Sequence, residues 1–139
     1  MKVIVLDTNC LLQILPRKSS KRWLLNFIRE GKVMLALSTD ILSEYAEILE
    51  QRTNSEVSEN VVQALLDSPF VLMVEPSYRW QLIHVDADDN KFVDCAVTAN
   101  ADYLITNDSH FNILDDISFP KVKRLRLAQV KKSFLTDDN

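Results

Sequence analysis

In Lys2-Val3-Ile4-Val5-Leu6-Asp7, the residues Val3 to Leu6 form a continuous apolar run that stops on a carboxylate. A run of this length with no polar alternation suits a strand covered on both faces, as in a parallel sheet with helices above and below. Near the other end of the chain, Tyr103-Leu104-Ile105-Thr106-Asn107-Asp108 repeats the pattern and again ends on aspartate. Residues 33–37 and 71–74 are apolar runs of the same kind, and a last candidate strand covers 123–127. Between these runs the spacing becomes helical. Trp23, Leu24, Phe27 and Ile28 follow Ser19 or Ser20 as a cap, with Gly31 as the stop. Ile41, Leu42, Tyr45, Ile48 and Leu49 follow Thr39 or Asp40 and reach about Arg52. A further helix is expected over 57–66, and another over about 89–99 behind the polar approach 86–90. Asn100 then stands where a left-handed cap falls, a conformation asparagine tolerates. Strands alternating with helices predict an α/β fold, a three-layer α/β/α sandwich around a parallel sheet of about five strands.

With 139 residues and 47% hydrophobic composition, one domain is expected over 1–139, its end a polar tail over 128–139 that frays from Thr136. No run nears the roughly 18 apolar residues of a membrane span, and the start lacks a signal-peptide layout, so a soluble, cytoplasmic protein with no membrane association is expected. Cys10 and Cys95 lie in apolar stretches, without zinc-ligand spacing to each other or to His84 and His110, and read as buried reduced thiols. Gly31 is the only glycine, which excludes Gly-rich loops that cradle nucleotide phosphates. The net charge of −4 and pI near 5.1 argue against a surface that binds nucleic acid throughout. Basic residues nevertheless gather at Arg17, Lys18, Lys21 and Arg22, and at Lys121, Lys123, Arg124, Arg126, Lys131 and Lys132, while aspartates crowd into 86–94. A basic path around an acidic pocket and ordinary solvated faces both fit that distribution.

In open α/β sheets the ligand site lies beyond the carboxyl ends of the strands. Asp7 and Asp108 both end strands, so if those strands are neighbours the two carboxylates enter one crevice; an isolated aspartate after a strand is otherwise a turn residue or a cap. Glu44 sits about 40° around its helix from Ile48, on the margin of the apolar face, where it can reach the sheet end or stay solvated. Asp94 is embedded in Phe92-Val93-Asp94-Cys95-Ala96-Val97, and a carboxylate in so apolar a helix needs a partner, an exposed edge or a metal. Asp86, Asp88 and Asp89 read as cap and first-turn acids, with Asp89 at the rim of the pocket. Converging carboxylates repel unless cations neutralise them, and hard oxygen donors select magnesium or manganese. Such ions support in-line hydrolysis of a phosphodiester. Neither histidine has a motif partner for acid–base work.

Four blocks carry a resemblance to a known family: Ile4-Val-Leu-Asp-Thr-Asn9, Ser38-Thr-Asp-Ile-Leu-Ser-Glu-Tyr45, Asp89-Asn-Lys-Phe-Val-Asp-Cys-Ala96 and Ala101-Asp-Tyr-Leu-Ile-Thr-Asn-Asp-Ser-His-Phe111. In this order they resemble the PIN domain family over about residues 1–127. The resemblance places Asp7, Glu44, Asp94 and Asp108 on the family's metal-binding acids, with Asn9 and Thr106 where polar residues orient them. It implies the sheet order 3-2-1-4-5, with first and fourth strands adjacent, and a Mg2+- or Mn2+-dependent endoribonuclease acting on single-stranded RNA. The chain looks most similar to small bacterial members that are toxins of toxin–antitoxin pairs, which implies an antitoxin partner and a homodimer. Asn100 departs from the glycine that many relatives carry there, a change the same cap accommodates. Two other readings stay open. One is a catalytically inactive RNA- or partner-binding domain. The other is a receiver-like phosphoacceptor module, for which the last strand lacks the strand-end lysine and Asp94 has no role. Tyr78, Trp80 and Phe111 could stack on bases or belong to the core.

Overall fold

The strand that opens the chain becomes the middle of the sheet. In the computed structural model, which describes residues 1–137, the strands are β1 (Lys2–Leu6), β2 (Val33–Leu37), β3 (Val71–Met73), β4 (Tyr103–Ile105) and β5 (Arg124–Leu125). The helices are α1 (Thr8–Ile14), α2 (Arg22–Arg29), α3 (Thr39–Arg52), α4 (Ser55–Asp67), α5 (Asn90–Thr98) and α6 (Val130–Asp137), with short 3-10 segments at Ala87–Asp89, Ser109–Asp116 and Leu127–Gln129. The sheet order is β3-β2-β1-β4-β5 and every pairing is parallel, the order the family resemblance implies. Ile4, Val5 and Leu6 are fully buried, as are Leu35, Ala36 and Leu37 beside them, so the uninterrupted apolar runs do mark strands covered on both faces. Leu6 is level with Ile105, and the Asp7 N–H donates to the Ile105 carbonyl at 3.0 Å. The first residues beyond β1 and β4 therefore share one crevice.

The helix stops are the expected ones. Gly31 adopts φ +74°, with its N–H on the Ile28 carbonyl and that of Lys32 on the Phe27 carbonyl. Asn100, at φ +50°, repeats the arrangement: its N–H meets the Val97 carbonyl, and that of Ala101 meets the Ala96 carbonyl. Both are left-handed C-caps that satisfy carbonyls a helix end leaves bare.

Several starts differ. Ser38, not Thr39 or Asp40, caps α3: its backbone is extended and its Oγ accepts the Ile41 N–H at 3.2 Å. Ser19 caps no helix directly; it accepts the Lys21 N–H one turn before α2 begins at Arg22. Helix α1 was not anticipated, because it follows β1 with only its cap, Asp7, between them. The expected tail from 128 also gives way to structure. There the chain forms a 3-10 turn and α6, burying Val130 completely and leaving Phe134 only 6% exposed beside Tyr103 and Trp23. Two apolar anchors four residues apart suffice to dock one helical stripe, although Lys131 and Lys132 make the local composition look like a tail. Asp138 and Asn139, where fraying was also expected, lie outside the described residues. Among the described residues no helix is long and apolar enough to cross a membrane.

Candidate metal centre

Asp7 is held from both strand ends. It caps α1, its Oδ1 accepting the Asn9 backbone N–H at 2.8 Å, and its Oδ2 accepts the Thr106 hydroxyl at 2.6 Å. Thr106, 1% exposed, uses the same hydroxyl to accept the Asp108 N–H at 3.0 Å. One buried side chain beyond β4 thus fixes the carboxylate beyond β1 and the backbone of the next acid. Burial pushes the Asp7 carboxyl above its ordinary range; the bonds from Thr106 and Asn9 oppose that, and the charges of Asp108 and Glu44 add to it. Asn9 contributes its backbone N–H, while its exposed side chain lines a hollow of about 520 Å³ shared with Asp7, Asn107 and Asp108.

Glu44 reaches the same region from α3. It accepts from the Thr8 hydroxyl and from Lys91 Nζ, the latter at 2.8 Å, with the lysine and glutamate side chains 20% and 23% exposed. This pair crosses from α3 to α5 and gives the carboxylate a resident cation.

Asp94 is placed elsewhere. It is 7% exposed, and its Oδ1 accepts the Trp80 backbone N–H at 3.1 Å. Burial raises its pKa, and the Trp80 bond and the Arg79 charge hold it down. It lines a separate hollow of about 410 Å³ with Arg79, Gln81, His84 and Lys91. The structure brings together Asp7, Glu44 and Asp108 and leaves Asp94 out of that group.

The acid that joins them is Asp89, at the amino end of α5. Asp94 lies about 140° around the axis and about 7.5 Å along it from Asp89, so the two carboxylates serve different faces. Asp89 Oδ2 is 3.2 Å from His110 Nδ1, and His110 Nδ1 is 3.6 Å from Asp108 Oδ1. Burial pushes the Asp89 carboxyl up to about 6, against the His110 hydrogen bond and with the charges of Asp86 and Asp108. Asp86, Asp89 and His110 each offer a donor atom within 4.8 Å of the others. Asp86 does cap the 3-10 turn, accepting the Asp88 N–H at 3.0 Å, but it also faces this cluster. His110 has a partner after all, 21 residues away. The available signal was its place two residues beyond Asp108, whose Oδ1 accepts the His110 N–H at 2.9 Å.

Asp86, Asp89 and His110 thus form a compact donor group, mostly hard oxygen in character and suited to a divalent cation, with Asp108 standing between it and Asp7. Burial first, and then the charge of Asp108 between them, raise both Asp7 and Asp89, a condition that a bound cation relieves.

A family profile described as PIN domain matches residues 3–110. No curated protein sequence matches the chain. Among solved structures, the fold is similar to VapBC2 from Rickettsia felis bound to a promoter DNA fragment, with TM-score 0.63 and 16% identity over 89% of this chain and 98% of that one. DNA-bound VapBC from Salmonella typhimurium matches with TM-score 0.63 and 17% identity over 91% and 99% of the two chains. FitAcB from Neisseria gonorrhoeae matches with TM-score 0.57 and 20% identity over 90% and 98%. At such identities the likeness is one of fold.

Proposed function

The chain belongs to the PIN domain family, and from that premise we propose that it is a metal-dependent endoribonuclease of single-stranded RNA, the toxin of a toxin–antitoxin pair. The observation that supports this reading is the run of contacts that links Asp7 through Thr106 to Asp108, and Asp108 through His110 to Asp89. Asp7, Asp89 and Asp108 would hold Mg2+ or Mn2+, with Glu44 alongside. When bound, such a cation supplies an activated water and charge stabilisation at a phosphodiester. Thr106 and the Asn9 amide fix the Asp7 rotamer, and His110 does the same for Asp89. Lys91 pairs with Glu44 and holds it in place, and Glu44 would have to give up that pair to join such a cation. Cys10 is no rival nucleophile: burial first, and then the Asp7 charge, push its thiol up to about 12. The family match leaves the receiver-like alternative without support.

An antitoxin and a second copy of the chain belong to the same reading. Its support is an apolar groove of about 940 Å³ lined by Leu12, Leu15, Leu25, Val57, Val61 and Leu65, with Arg17 and Arg29 also lining it. That composition suits an amphipathic segment with acidic flanks.

The test is cleavage of labelled single-stranded RNA in Mg2+ or Mn2+, with an EDTA control and the Asp7→Asn, Asp89→Asn and Asp94→Asn variants. Activity should vanish with EDTA, Asp7→Asn and Asp89→Asn and survive in Asp94→Asn. A folded wild type inert in both metals, or persistent cleavage by Asp7→Asn, overturns the reading.

A further inference from the structure

Phe119 is 80% exposed and Tyr78 63% exposed, and Trp80 joins their rings. The Tyr78 and Trp80 centroids are 4.7 Å apart and those of Trp80 and Phe119 5.8 Å, both edge to face. An open cluster of this kind, contributed by two separate loops, is unusual on a surface that only faces water. The loops are alike in charge. Residues 76–85 and 117–126 contain Arg79, Lys121, Lys123, Arg124 and Arg126 and no acidic residue, in a chain of net charge −4. Arg124 is engaged by Asp115 and the Arg79 charge acts on Asp94, but Arg79, like Lys121, Lys123 and Arg126, is exposed.

The cluster is also tied to the helix that carries the acidic centre. The Trp80 N–H donates to Asp94 and the Ile83 N–H to Asn90, so the first loop runs along α5 toward Asp89. Trp80 is therefore anchored about 7.5 Å along the helix from Asp89.

We propose that Tyr78, Trp80 and Phe119 form a base-stacking ledge, with Arg79, Lys121 and Lys123 on the phosphates, that holds single-stranded RNA as it enters the acidic centre. The proposal rests on the nuclease reading for its substrate. Aromatic faces accept any base, and nearby cations take the backbone, which is how single strands are held without sequence readout. A second copy of the chain fits this surface less well. An isologous contact sets a patch against itself, and here it would oppose the same cations.

The experiment uses the full chain and its Tyr78→Ala and Phe119→Ala variants, whose exposed side chains leave the melting temperature close to wild type. A labelled oligouridylate is bound in EDTA, where no cleavage occurs, and followed by anisotropy; cleavage is then measured with Mg2+, and oligomeric state by sedimentation. Each lost ring should weaken binding by about 5- to 100-fold and raise KM more than it lowers kcat. Arg79→Ala should reduce the slope of log affinity against log salt by about one unit. Ring-dependent binding by a wild type that never cleaves supports the ledge while the nuclease reading fails. Cleavage and binding unchanged in both ring variants overturn the ledge and leave the nuclease reading intact. A wild type that binds no oligouridylate, or variants that lose only dimerisation, overturn the ledge as well.

Discussion

Asp89→Asn should make the metal-free protein more stable while removing its response to divalent cations. The folded-state pKa of Asp89 is about 6 against an ordinary 3.8, so the folded protein binds this proton more tightly than the unfolded chain does. The sign follows from linkage: the stability this group contributes is complete below about pH 3.8 and is lost as pH rises through 6. Asparagine carries no such charge, so the variant should escape the loss. At about 1.4 kcal/mol per pKa unit the shift corresponds to about 3 kcal/mol. The side chain keeps 15% of its surface and water screens its neighbours, which reduces the expected gain to about 1–2 kcal/mol. His110 can still bond the asparagine oxygen, so little packing is lost. Urea unfolding in EDTA at pH 8 and near pH 3.5 measures the gain, which should be present at the first and absent at the second. In Mg2+ at a hundred times its Kd the wild type should recover about 2.7 kcal/mol and overtake the variant. A variant less stable than wild type at pH 8 in EDTA, or equally more stable at both pH values, refutes the electrostatic account.

Thr106→Val removes a hydroxyl that donates to Asp7 and accepts from Asp108 at nearly constant shape; unfolding should become about 1–3 kcal/mol easier. The Asp7 pKa should rise further, so half-saturation by Mg2+ should need more metal, and a stability change under about 0.5 kcal/mol counts against the role given to this hydroxyl. Gly31→Ala adds a Cβ at φ +74° and 2.5 Å from the Phe70 ring, so left-handed strain and ring displacement should lower the melting temperature, by about 2 kcal/mol or more in stability. An unchanged melting temperature contradicts that contact. Cys10 and Cys95, both buried and pushed up to about 12, should resist an aromatic disulfide reagent at pH 8 until the chain unfolds; rapid native reaction of both thiols argues against their burial.

Local pattern determined much of this protein. Continuous apolar runs identify β1 and β2, Gly31 and Asn100 stop their helices through their own backbone freedom, and Asp7 and Asp108 declare themselves as strand-end acids. These are properties of a few consecutive residues, and consecutive residues display them. Helix α6 was obscured because only Val130 and Phe134 anchor it among lysines. What tertiary structure alone decided is which further side chains meet at those strand ends. Periodicity reports the face an element buries, and Asp94 did need a partner; the partner is the Trp80 amide and the Arg79 charge rather than the crevice. Asp89 and His110, with no signal linking them in sequence, come together because the start of α5 and the 3-10 turn after β4 open on the same sheet edge. The aromatics divide in the same way: Phe111 is fully buried against Phe92, while Phe119 stands in the open beside Trp80. Charge and hydrophobicity are read residue by residue, but a site is set by the convergence of segments, and that depends on the packing of the whole sheet.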